Sequence, residues 1–178
     1  KFLYPALPRV FKNIQTLCLA AQALVDAGFC GFEIILTITG HENRYSKYIF
    51  SRFKHLPQIK FLGLQTRQQM ISLYSDCDAL VFPSKLETWG LPISEAKAFS
   101  LPLFISDLPY ARETVGEYPL VSFFPPLSPI FLANLMADYI NGDWRPSGNK
   151  SNIVSTPYAH GWTSLWSFLI KTISIPGA

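Results

Sequence analysis

The chain has 178 residues, 49% hydrophobic and 15% charged, with 15 Lys+Arg against 12 Asp+Glu for a formal net charge of +3. That length and hydrophobic content suffice for one domain with a real core, and 15% aromatic content with so few charges excludes a disordered chain. A small cationic excess without a Lys/Arg run lacks the electrostatic footprint that duplex nucleic acid requires, so no nucleic-acid partner is expected.

Lys1–Pro5 is short, apolar and bounded by proline, and reads as the first strand. The clearest helix follows at Asn13–Ala27, where Ile14, Leu17, Cys18, Ala21, Leu24 and Val25 recur at three- and four-residue spacing and Gly28 stands at C′. Next come strand Phe32–Thr39, helix Glu42–Phe53, strand Ile59–Gly63 and helix Thr66–Ser75 with Thr66 as N-cap. Strand Ala79–Pro83, helix Pro92–Phe99, strand Pro102–Ser106, helix Tyr110–Val115, strand Leu120–Phe124 and helix Pro129–Ile140 complete the alternation. After a polar stretch from Asn141 to Pro157, Gly161–Ile173 reads as one more amphipathic helix.

The strand runs are continuously apolar rather than alternating, which implies burial on both faces. Strict strand–helix alternation then argues an α/β fold, a Rossmann-like doubly wound parallel sheet of about six strands with helices on both faces. Pro119, Pro125, Pro126 and Pro129 interrupt the uncharged stretch 118–137, so it is not read as a membrane span. Residue 1 opens directly in apolar chain, and no signal peptide is expected. Cys18, Cys30 and Cys77 fit neither a disulfide framework nor metal-binding pairs. With His41, His55 and His160 far apart, no metal site is expected, and a reducing, cytoplasmic setting is.

In such sheets ligands bind at the carboxyl ends of the strands. The segment Ala79–Glu95 reads ALVFPSKLETWGLPISE. Pro92 suits the first position of a helix, and Gly90 before it makes a turn whose free N–H groups and dipole can hold a phosphate. Glu87 in the loop and Glu95 in the first helical turn or just beyond flank this anion site. By spacing alone they read more readily as a solvated loop carboxylate and a dipole-complementing one than as a functional pair.

Pro83, Ser84, Glu87, Gly90, Leu91, Pro92, Glu95 and Ala96 coincide with the signature P-S-x-x-E-G-F-G-L-P-x-x-E-A. In this the chain resembles the group 1 family of retaining glycosyltransferases, family 4-like, whose GT-B architecture pairs two Rossmann-like domains. It departs at Thr88, where glycine is usual, and at Trp89, where phenylalanine is usual. Phe61-Leu62-Gly63 followed by Met70, Leu73, Tyr74, Asp76 and Asp78 resembles the family's strand, glycine turn and next helix. Ala98–Asp107 resembles its A-x-G-x-P-V-V-x-S-D run with Ser100 at the glycine. Glu113 takes its P-E position with Arg112 for the proline. Pro8–Asn13 resembles its basic phosphate-contacting segment, and the Trp162 region its closing helix.

The resemblance implies that residues 1–178 are a single C-terminal, donor-binding domain, one half of a GT-B enzyme, with the N-terminal acceptor domain absent. The implied function is transfer of a sugar from a nucleotide diphosphate sugar to a saccharide or lipid-linked acceptor, the isolated domain being inactive. Glu95 would take the ribose hydroxyls. Lys12, Arg9 and the amides of Gly90 and Leu91 would hold the diphosphate. Glu87 would lie against the donor sugar, Thr88 and Trp89 in the same donor loop, and Gly63, Leu64 and Gln65 would meet the base. Glu87, Lys12 and Arg9 form the implied catalytic set, whose charge stabilisation makes a metal or other cofactor unnecessary. Arg9 falls off the usual offset before the lysine, Trp89 serves equally as a packing residue at the loop base, and the Gly40-His41 turn is read as structural. Two alternatives stay open: a non-catalytic nucleotide-sugar-binding or interaction module, suggested by Thr88 and Ser100, and half of a GT-B sugar-nucleotide 2-epimerase. A cytoplasmic full enzyme is expected, with room for peripheral membrane association.

Overall fold

The computed structural model describes residues 1–149 and 163–167. Strand and helix alternate as β1 (Phe2–Tyr4), α1 (Ile14–Asp26), β2 (Ile34–Leu36), α2 (Arg44–Phe53), β3 (Ile59–Phe61), α3 (Arg67–Asp76), β4 (Ala79–Phe82), α4 (Leu91–Ala98), β5 (Leu103–Ser106), α5 (Pro109–Val115), β6 (Val121–Phe124) and α6 (Pro129–Asn141). The six strands form one sheet in the order β3-β2-β1-β4-β5-β6. Every pairing is parallel, in registers such as Leu3 beside Ile35 and Leu80 on its two sides, the latter beside Leu103. Leu3, Ile34, Leu80, Val81, Leu103 and Phe104 are all at 0% exposure, as their continuous apolar runs require when both faces of a sheet are covered.

The chain leaves β1 toward β3 and returns to build β4 to β6, so the order reverses between β1 and β4. With right-handed crossovers this puts α1 and α2 on one face and α3, α4 and α5 on the other. Contacts agree: α1 packs on α2 and α6, and α4 on α5. The connections that leave the carboxyl ends of β1 and β4 run to opposite sides of the reversal, which is where a doubly wound sheet opens a crevice.

Element ends differ from the sequence expectation for local reasons. β2 stops at Leu36 because the Thr37 side chain takes over the pairing, its Oγ1 accepting from the Ala6 N–H at 3.0 Å. α2 starts at Arg44 because Asn43 caps it in a capping box with Ser46. Pro92 stands second in α4, after Leu91, not first. Residues 163–167 are helical, whereas 161–162, 168–173 and with them Trp162 lie outside the described residues. No helix among the described residues is long and apolar enough to cross a membrane. Cys18 and Cys77 are buried and Cys30 exposed, all three unpaired.

Candidate functional site

The loop after β1 is rigid because one asparagine ties three loops together. Val10–Lys12 forms a single 3-10 turn, and Asn13 ends it in the left-handed conformation, φ 56°, before α1 begins. Asparagine tolerates that conformation better than most residues. Its buried side chain donates to the carbonyls of Pro83 at 3.0 Å and Pro126 at 2.7 Å, and its Oδ1 accepts from Thr16 Oγ1 at 2.9 Å. The loops that follow β1, β4 and β6 are thereby held to one atom group. From below, the buried Tyr4 hydroxyl donates to the Lys12 carbonyl at 2.6 Å. Burial first, and the Glu87 carboxylate second, raise the Tyr4 phenol well above its ordinary value, so it remains a donor.

The loop after β4 is stitched to the same segment. The Lys85 N–H donates to the Phe11 carbonyl at 2.7 Å, and the Tyr110 hydroxyl to the Ser84 carbonyl at 2.7 Å. Within that frame Lys12 Nζ meets Glu87 Oε1 at 2.5 Å, the two side chains 19% and 10% exposed. Farther on, the Thr114 hydroxyl fixes the Trp89 carbonyl at 2.6 Å. Gly90 then turns into α4 with φ 76°, where a Cβ would also stand 3.2 Å from Ile93 Cδ1. Pro92 contributes no N–H and the Ile93 N–H returns to the Gly90 carbonyl at 2.9 Å, so the amides of Gly90 and Leu91 are left without acceptors among the described residues. The loop thus brings a partly shielded ammonium, paired with a carboxylate, and two free amides to one helix start, and the ammonium and amides are the groups there that can donate to an anion.

Glu95 stands exposed on α4, its Oε2 accepting from the hydroxyl of buried Tyr74 on α3 at 2.8 Å. The turn after β3 has Gly63 at φ 77°, where a Cβ would come 2.7 Å from Thr39 Cγ2, so only glycine fits. Leu64 is fully open at 84% exposure, and the Gln65 amide folds back to donate to the Leu62 and Gly63 carbonyls, both at 3.1 Å. Beside it, Glu42 closes the turn after β2 by accepting from the Thr39 N–H at 2.5 Å, the Thr39 hydroxyl and the Gly40 N–H at 3.0 Å. Burial opposes its ionisation, but donors from Thr39, its own amide and Ser46 outweigh that and draw the carboxyl down to about 2. At Gly40 a Cβ would overlap the Phe50 side chain, which fits the structural reading of that turn.

The structure thus joins Lys12 and Glu87 directly and sets Gly90, Leu91, Thr88 and Trp89 on the same loop. Gly63, Leu64 and Gln65 lie across the sheet beyond β2. Arg9 precedes the 3-10 turn with an exposed side chain that makes no ion pair among the described residues. Trp89, at 60% exposure, is not a packing residue at the loop base. Asn13 and Tyr74 lie in segments that carry the resemblance but receive no role from it, and Tyr110 is not singled out, because their contacts run between elements far apart in sequence. No cluster of three metal-ligating side chains occurs among the described residues.

Residues 3–150 match the model of the family described as Glycosyl transferases group 1. The chain is 30% identical over 112 residues to O-antigen chain mannosyltransferase B of Escherichia coli, covering 62% of this chain and 29% of that protein. It is 29% identical over 109 residues to serotype-specific mannosyltransferase WbdA of Escherichia coli, covering 59% of this chain and 13% of that one. It therefore spans less than a third of the length of these curated relatives. Among solved structures, Anabaena Alr3699/HepE in complex with UDP-glucose aligns at a TM-score of 0.64 and 22% identity, over 79% of this chain and 38% of that one. A glycosyltransferase from Rickettsia africae aligns at 0.64 and 22%, over 79% and 37%. These structures share the fold, the Rossmann-like half of a GT-B glycosyltransferase. With most of its length inside the family model, the chain belongs to the glycosyl transferases group 1 family.

Proposed function

We propose that this chain is the donor-binding domain of a retaining glycosyltransferase, which moves a sugar from a nucleotide diphosphate sugar to a saccharide or lipid-linked acceptor held by a second domain. The observation that carries this reading is the Lys12–Glu87 pair at the strand-order reversal, beside the free amides of Gly90 and Leu91. The mannosyltransferase relatives favour a nucleotide-activated mannose as donor, and the UDP-glucose complex of the Anabaena protein supports nucleotide-sugar binding on this fold.

In this reading the diphosphate takes Lys12 and the two amides, with Arg9 adding charge at the rim. As the glycosidic bond breaks, the leaving phosphate oxygen gains negative charge that these donors stabilise in place. Glu87, released from Lys12, lies against the sugar and opposes the positive charge that develops at its ring oxygen and anomeric carbon. Glu95 accepts from the ribose hydroxyls, and the turn 63–65 meets the base. In this reading Lys12 and Arg9, with the two amides, carry the charge of the diphosphate in place of a divalent ion.

The binding-module alternative loses support from the backbone. Among the described residues the only non-glycine positions with positive φ are Asn13 and Ser100. Thr88 therefore sits where the chain makes no demand for glycine, and Ser100 holds the conformation that a glycine would supply.

Calorimetric titration with UDP, GDP, ADP and their sugar conjugates tests the proposal. One base should be preferred, and Lys12→Ala and Glu95→Ala should each weaken it about tenfold or more, the scale of a lost charge-assisted hydrogen bond. Affinity should be the same in EDTA as in magnesium. Nucleotide binding that ignores both substitutions would refute the site.

A further inference from the structure

We propose that Tyr74 is a positioning residue for nucleoside recognition: its hydroxyl holds the Glu95 carboxylate in the orientation that meets the ribose. The inference rests on the assignment of Glu95 to the ribose made above, and adds a residue outside the Glu-x7-Glu loop that enforces it.

An exposed glutamate on a helix samples several rotamers, and ordering it on binding costs affinity. Glu95 is exposed, yet it is not free: the Tyr74 hydroxyl donates to Oε2 at 2.8 Å. Tyr74 itself cannot wander. It is 2% exposed, and its ring stacks on Phe99 of the turn after α4, centroids 5.5 Å apart and planes 22° from parallel. Burial first, then the hydrogen bond to Glu95, raises its phenol, so it stays a donor throughout the working pH range. One lone pair of Oε2 is occupied, which leaves Oε1 and the second lone pair of Oε2 with no other donor among the described residues, enough acceptor capacity for two ribose hydroxyls.

The location gives the contact a second consequence. α3 begins immediately after the turn 63–65, where Thr66 caps it in a box with Gln69. The same helix therefore carries the base-side turn at its start and Tyr74 seven residues into it. Through the Tyr74–Glu95 bond the two walls of the nucleoside subsite, one on α3 and one on α4, are set at a fixed spacing.

The test compares Tyr74→Phe, Glu95→Ala and wild type for binding of UDP and GDP against their 2′,3′-dideoxy analogues. Phenylalanine keeps the ring and its stack and removes only the donor. Wild type should prefer the ribonucleotide about tenfold or more, Glu95→Ala should abolish that preference, and Tyr74→Phe should reduce it about three- to tenfold through the ribonucleotide alone. An undiminished preference in Tyr74→Phe alongside its loss in Glu95→Ala would overturn the proposal and keep the ribose assignment. Equal weakening of both nucleotide forms by Tyr74→Phe would also overturn it, since that is general damage. A wild type without preference, or Glu95→Ala retaining one, would overturn the assignment of Glu95 and the proposal with it.

Discussion

Ser100→Gly should stabilise the protein. α4 ends in a Schellman arrangement, in which the Ser100 N–H donates to the Lys97 carbonyl at 2.9 Å and the Leu101 N–H to the Ala96 carbonyl at 3.0 Å. Leu101 folds back, 8% exposed, beside the fully buried Ala96. This closure needs a left-handed residue at C′, and Ser100 supplies it at φ 57°. A residue with a Cβ is disfavoured there by about 1–2 kcal/mol. Glycine's freer unfolded chain takes back about 0.5–1 kcal/mol. At the midpoints of these ranges the net gain is about 0.75 kcal/mol, and at about 2–4 °C per kcal/mol for a domain of this size the melting temperature rises by roughly 1.5–3 °C. Urea and thermal unfolding followed by circular dichroism would measure it, with Ser100→Ala as control. The hydroxyl makes no hydrogen bond among the described residues, so alanine should be near neutral. An unchanged or lowered melting temperature in Ser100→Gly would refute the strain at this position.

Other substitutions bear on the same frame. Asn13→Ala removes the bonds to the Pro83 and Pro126 carbonyls and leaves an unsuitable residue at φ 56°, and should cost about 2–4 kcal/mol in urea unfolding. Asn13→Gly should cost less by the strain share, and equal losses would discount the backbone. Gly63→Ala should cost about 2 kcal/mol from the approach to Thr39 Cγ2 and the positive φ. Adding Thr39→Ser, which removes that methyl and keeps the hydroxyl, should recover part of it. Glu42 has its carboxyl at about 2 against an ordinary 4.5, so its stabilisation is complete above 4.5 and is lost as pH falls toward 2. Glu42→Gln should accordingly be less stable than wild type at neutral pH, and the two should converge across that interval in acid unfolding curves.

Every strand and every helix through α6 was legible in the sequence, because in a parallel sheet buried on both faces the apolar runs are unbroken and the helices between them carry their own caps. Thr66 and Gly28 announced a helix start and a helix end directly. Ends shifted by a few residues at most, in places where a side chain intervened, as Thr37 does for β2, and in others where a glycine turn or a proline stands at the boundary, as at Gly63 and Pro109. The resemblance singled out Lys12 and Glu87 in two separate segments, 75 residues apart, although nothing in the spacing showed that they would meet. What sequence withheld was the set of ties that aim them. Asn13 reaches Pro126 across 113 positions and Tyr74 reaches Glu95 across 21, and such partnerships exist only once the sheet order is known.

In the proposed mechanism the contact between Lys12 and Glu87 makes the site an ion exchanger rather than a magnet. Lys12 already has a resident counter-ion, so at that side chain an arriving anion gains only the difference between its own bond to Lys12 and the one it displaces. In that mechanism chloride, with a single contact to offer, competes poorly against a tethered carboxylate, whereas a diphosphate that also engages the Gly90 and Leu91 amides evicts it. Eviction then sets the timing of the chemistry. In the mechanism proposed here, Glu87 becomes available to the sugar at the moment the leaving group has secured Lys12, and not before.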